Sequence, residues 1–95
     1  MKHHIIVKWN EKVNDKAVLI PEIKSLFAKT LSIEGIEDVK LIPNIIERPN
    51  RYDLMIVITM EEDALTAYDE SEYHKEWKDK YGSLIESKCI FDSRN

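Results

Sequence analysis

Tyr52-Asp53-Leu54-Met55-Ile56-Val57-Ile58-Thr59-Met60 is the stretch that decides how this 95-residue chain folds. Side chains alternate along a strand, so Tyr52, Leu54, Ile56, Ile58 and Met60 share one face. The other face carries Asp53, Met55, Val57 and Thr59 and is only half polar. A strand of this kind needs cover on both sides. Helices can supply one cover. In so short a chain the second is expected from another copy of the same chain, because a small domain buries a limited share of its own surface.

Working outward, His3 to Trp9 is rich in β-branched and aromatic residues and reads as a first strand, with His3, Ile5, Val7 and Trp9 on one face and His4, Ile6 and Lys8 on the other. Leu19, Ile20, Ile23, Leu26, Phe27, Thr30 and Leu31 then recur at helical spacing. Pro21 removes a backbone donor and disfavours helical geometry at Ile20, which puts the start of the main helix near Pro21 and its end at Gly35. Ile36 to Glu47 has strand content, with Pro43 arguing for a sheet edge or a bulge. Arg48-Pro49-Asn50-Arg51 reads as a turn. Residues 61–81 read as helix in two pieces, separated at Asp69 to Ser71, with Ser71 placed to cap the second. Leu84 to Asp92 is a last strand, and the final three residues a polar tail. The order strand, helix, strand, strand, helix, strand is the split βαβ, α+β ferredoxin-like arrangement: one antiparallel sheet with helices on a single face.

Composition narrows the function classes. The formal charge is −4, and 34% of residues are charged. Residues 61–80 concentrate the acidity, with eight acids against three bases. No run of bases offers a footprint for a nucleic-acid backbone. No apolar run approaches the length of a membrane span, and the stretch after Met1 lacks the pattern of a secretory leader. Cys89 is the only cysteine, which excludes an internal disulfide and makes a reducing, cytoplasmic setting the expectation. The chain is read as one domain over residues 1–95. No cofactor or metal is expected: both glycines stand alone, and His3 and His4 point to opposite faces, where they cannot chelate one ion.

The motifs His3-His4-Ile5-Ile6-Val7-Lys8-Trp9, Tyr52-Asp53-Leu54-Met55-Ile56-Val57-Ile58, Ala67-Tyr68 with His74, and Ile90-Phe91-Asp92 together resemble the stress-responsive dimeric α/β-barrel (Dabb) family, which includes olivetolic acid cyclase-like proteins. The resemblance implies a homodimer in which two ferredoxin-like sheets pack together as a barrel. It places His4, Ile6, Met55 and Val57 toward the partner. His3, Ile5, Val7, Ile56 and Ile58 would face the helices and, with Trp77, line a helix–sheet pocket for a small apolar or aromatic ligand. It also implies a catalytic role for Tyr68 and His74.

That pair makes physical sense. A neutral imidazole can take a proton from an activated carbon, and a phenol can donate to a carbonyl oxygen as charge develops there. Six residues apart on one continuous helix, Tyr68 and His74 would lie about 120° out of line. They reach one site only if the helix breaks between them, and His3 could then complete it. The leading expectation is a small dimeric ligand-binding protein. A polyketide cyclase-like acid/base enzyme using His74 and Tyr68 is the alternative, and a cofactor-free monooxygenase stands behind it.

Overall fold

The computed structural model describes residues 1–94. Four strands form one antiparallel sheet: β1 (Lys2–Trp9), β2 (Ile36–Pro43), β3 (Leu54–Met60) and β4 (Ile85–Ser93). Their order across the sheet is β2-β3-β1-β4. Helix α1 (Lys16–Ala28) follows β1, and α2 (Leu65–Asp69) and α3 (Glu72–Tyr81) follow β3. This is the ferredoxin-like βαββαβ fold that the sequence order implies.

Between sheet and helices lies the core. Ile5, Val7 and Trp9 of β1 and Leu54, Ile56, Ile58 and Met60 of β3 meet Ile23, Leu26 and Phe27 of α1. Trp77 sits at the centre, 5.2 Å from the Phe27 ring, 5.2 Å from Tyr81 and 6.4 Å from Trp9, centroid to centroid. The contacts with Phe27 and Trp9 are edge-on and add attraction beyond the apolar area they bury. The Tyr81 hydroxyl donates to the Glu22 carboxylate at 3.2 Å and so ties α3 to α1. Apart from half-buried Glu76, the acids of residues 61–80 are exposed, and Glu62 pairs with Arg94 beside the end of β4.

Several boundaries differ from the sequence reading, each for a local reason. Helix α1 begins at Lys16 rather than Pro21, because the Asp15 carboxylate caps it by accepting from Ala17 N at 3.1 Å. Pro21 is carried inside the helix, where burial of Ile23, Leu26 and Phe27 outweighs one lost hydrogen bond. The helix proper ends at Ala28, not Gly35, and tightens into a 3-10 turn over Lys29–Ser32. There the Thr30 hydroxyl donates to Phe27 O and the Ser32 hydroxyl to Lys29 O. Strand β2 is an edge strand with a register shift between Ile36 and Asp38, but it stops at Pro43 rather than Glu47. Asn44 turns the chain by bonding both backbone groups of Ile46. Strand β4 extends through Ser93, so only the end of the expected polar tail remains, and Asn95 lies outside the described residues.

Gly35 has a specific task in the turn before β2. Its φ is +94°, and a Cβ there would stand 2.9 Å from the Ala64 Cβ. Its carbonyl also accepts from Glu61 N at 2.8 Å, pinning the end of β3 to the start of β2. Gly35→Ala therefore combines left-handed strain with a contact that must be relieved by moving backbone. The expected cost is about 2 kcal/mol, read as a fall in the urea midpoint at unchanged m-value.

Candidate functional site

His3 enters the site from β1, paired across the sheet with Ile58 of β3 and Asp92 of β4. It is buried on the helix-covered face, and its Nδ1 lies 2.5 Å from Asp92 Oδ1. A carboxylate only accepts, so Nδ1 carries a proton.

Tyr68 and His74 arrive from α2 and α3. The two helices part at Glu70 and Ser71, where the sequence places its break. Ser71 makes the break in two ways: its hydroxyl donates to Tyr68 O at 2.7 Å and accepts from His74 N at 3.2 Å, capping α3. The change of direction brings the Tyr68 and His74 rings to 5.1 Å. The His3 ring stands 5.6 Å from Tyr68, edge to face. Tyr68 thus packs against two imidazoles.

The electrostatics of the three residues differ. Tyr68 is 1% exposed, and its hydroxyl has no hydrogen-bond partner among the described residues. Burial, with a smaller contribution from Asp69, pushes the phenol well above its ordinary pKa, so it is a donor and not a base. Partial burial pulls His74 below its ordinary value, against the opposing hydrogen bond to the Asp69 carbonyl. That bond runs from Nδ1 to Asp69 O at 3.0 Å. Because a carbonyl cannot donate, Nδ1–H is the donor and Nε2 holds the lone pair. The cluster therefore contains one buried proton donor and two imidazoles whose Nδ1 atoms carry a proton. It can hydrogen-bond a polar group and move a proton to or from it.

The lowered pKa of His74 has a consequence for stability. The folded state keeps this imidazole neutral at pH values where the unfolded chain, with an ordinary value of 6.5, has begun to protonate it. Its contribution is favourable above 6.5, falls as pH drops through that value, and levels off below the lower folded value. Between pH 7 and pH 5 the urea midpoint of the wild type should therefore fall further than that of His74→Gln.

Of the other residues assigned from the sequence, Ile5, Val7, Ile56, Ile58 and Trp77 are all packed in the core, each at 2% exposure or less. His4, Ile6, Met55 and Val57 lie on the uncovered face of the sheet. The register puts Ile42, Met55, Ile6 and Cys89 in one row across it, and Lys40, Val57, His4 and Phe91 in the next. His4 Nδ1 bonds Phe91 O at 2.9 Å and takes no part in the Tyr68 cluster. The residue sequence reading missed is Asp92. Its only signal was an acid set in the apolar run Ile90-Phe91, and its partner lies 89 positions away. No helix among the described residues is long and apolar enough to cross a membrane.

No protein-family model matches the sequence, and no curated protein matches it. Solved structures do. A dimeric ferredoxin-like protein of unknown function from Jannaschia sp. CCS1 superposes with a TM-score of 0.78 at 15% identity, over 99% of this chain and 97% of that one. A Dabb family protein with a ferredoxin-like fold from Mesorhizobium loti gives 0.67 at 14% identity, over 99% and 94%. The hydroxynitrile lyase of Passiflora edulis gives 0.74 at 11% identity, over the same shares of the two chains. At such identities the likeness is one of fold.

Proposed function

We propose that this protein is a homodimeric α/β barrel of the Dabb type that binds a small aromatic or apolar molecule and holds its polar group at Tyr68, His74 and His3. The observation that carries the reading is the Tyr68 hydroxyl, buried without a partner among the described residues, on a ring that packs against both imidazoles. An unpaired buried hydroxyl costs about 1–3 kcal/mol, and a ligand oxygen accepting from it would remove that cost. The barrel reading rests on the uncovered, partly apolar sheet face and on the dimeric proteins that share the fold.

The test is titration with a panel of hydroxylated aromatic acids and ketones, followed by tryptophan fluorescence. Wild type is expected to show saturable binding, and Tyr68→Phe at least tenfold weaker binding. In the ligand-free protein the same variant should be neutral or more stable by up to about 1 kcal/mol, because it deletes an unsatisfied polar group. Equal affinity in the two proteins, or no binding of any panel member, would sink the proposal.

A second reading, acid/base catalysis, draws support from the His74 tautomer: a neutral ring with Nε2 as its lone-pair atom is the form a general base requires. In an aldol-type ring closure Nε2 would remove a proton from carbon while Tyr68 donates to the carbonyl oxygen. Turnover of a linear polyketide analogue that is lost in His74→Ala, with binding retained, is the result this reading expects.

A further inference from the structure

Helix α3 has two different flanks. Residues three and four apart on a helix share a side, so Tyr73 and Glu76 fall on one flank and His74 and Lys78 on the other, with Trp77 between them in the core. The first flank turns to the segment that follows α1. Tyr73 Oη lies 3.3 Å from Ser32 Oγ, and Glu76 Oε1 lies 3.6 Å from Lys29 Nζ. Helix α1 packs toward β2, so the His74–Lys78 flank looks toward the opposite edge of the sheet, which is β4.

The helices leave that edge uncovered. On β4, Lys88, Ile90 and Asp92 pair with Val7, Ile5 and His3 and so share the helix side of the sheet. Ile5 is 2% exposed, yet Ile90 beside it is 45% exposed. An open strip with an apolar floor therefore runs between α3 and β4. One end holds the His3–Asp92 bond, with Tyr68 and His74. The Tyr81 ring lies 6.5 Å from Trp9, so α3 follows β1 from its His3 end toward its Trp9 end. Lys78, one turn beyond His74, and Lys88, beside Val7, both stand further along the strip.

The charges around the strip are unequal in their engagements. Asp92 bonds His3, Glu86 pairs with Lys8, and Asp69 acts on His74 from the end of α2. Lys78 and Lys88 have no ion-pair partner among the described residues. After burial, their positive charges are what lower the His74 pKa, so both lie within electrostatic reach of that ring. Two unpaired ammonium groups beside an apolar floor suit a carboxylate, whose charge-assisted hydrogen bonds are about twice as strong as neutral ones.

We infer that Lys78 and Lys88 receive the carboxylate of the molecule held at Tyr68, His74 and His3, with its ring over Ile90, so that the protein selects aromatic acids over their neutral counterparts. The inference rests on the ligand site proposed above and names the class of molecule that site takes.

The test compares matched pairs of probes: para-hydroxybenzoate and para-hydroxyphenylpropanoate, each beside its neutral primary amide. Affinities are measured by tryptophan fluorescence in wild type, in the double variant Lys78→Gln, Lys88→Gln, and in Lys80→Gln, which removes the same charge from the same helix turn outside the strip. All three lysines are exposed, so each variant should keep the wild-type circular dichroism. Wild type is expected to bind the better acid about tenfold more tightly than its amide. The double variant should bind acid and amide alike, with the amide affinity unchanged, and Lys80→Gln should keep the wild-type ratio. An acid-to-amide ratio that is the same in the double variant as in wild type overturns the inference. So does a wild type without acid preference, a double variant that loses the amide as well, or a Lys80→Gln variant that loses the ratio equally. Each of these leaves the ligand site standing where binding still depends on the Tyr68 hydroxyl. A wild type that binds no probe of either kind overturns both.

Discussion

Trp77→Ala is expected to remove about half of this protein's folding stability. Trp77 is 2% exposed and touches Trp9, Phe27 and Tyr81, so its ring joins the first strand, the first helix and the last helix in one contact. Removing a buried aromatic ring to alanine costs about 3–5 kcal/mol, the lost transfer energy plus the cavity it leaves. A domain of this size holds only about 5–10 kcal/mol in total. The cavity cannot collapse easily, because the sheet on one side and two capped helices on the other are each held by their own hydrogen bonds. Chemical unfolding read by far-ultraviolet circular dichroism provides the check. Trp77→Phe, which keeps an aromatic ring, should recover more than half of the loss. A Trp77→Ala midpoint within about 1 kcal/mol of wild type would mean that the three elements hold together without this contact.

Met55→Lys should have an equally large effect, but on assembly rather than folding. Met55 occupies the middle of the uncovered sheet face, in register with Ile42 on one side and Ile6 on the other. In the protomer a lysine there can lay its methylene stem along the sheet and keep its ammonium in water. In a sheet-to-sheet dimer the same ammonium is trapped between apolar rows with no acid beside it, a burial that costs several kcal/mol. At micromolar concentration the variant is expected to sediment as a folded monomer, its dissociation constant weakened at least a hundredfold. Dimerisation as tight as in wild type would place the interface somewhere other than this face. The variant also separates two properties of the site. Tyr68, His74, His3 and Asp92 all belong to one protomer, so a monomer that still binds one of the panel ligands would show that the proposed site does not need the second copy.

Several features of this arrangement were written locally and could be read locally. Alternation along His3-His4-Ile5-Ile6-Val7 separates a helix-facing histidine from one on the open face, and the sheet keeps that separation. Ser71 between two helical patterns marks a break, and its hydroxyl makes the cap that the position allows. The start of α1 is not legible in the same way. Pro21 argues against helix before it, whereas in the structure the Asp15 carboxylate caps the helix at Lys16. Core burial of the residues beyond Pro21 decided in favour of the cap. Ile45-Ile46 looks like strand in the sequence, but the Asn44 side chain takes both backbone groups of Ile46 and ends β2 before them.

The sequence by itself determined the order of elements, which faces of β1 and β3 are apolar, and where the last helical segment breaks. These follow from the periods of strand and helix and from single capping residues, all of which act over a few positions. The tertiary structure alone decided that Asp92 sits on His3, that Tyr68 packs against both His3 and His74, and that its hydroxyl finds no partner among the described residues. Those facts depend on strand order and register, which bring His3 to Asp92 across 89 positions. No local periodicity encodes such distances. They emerge only when burial of the two apolar sheet faces selects one topology among the few the chain could adopt.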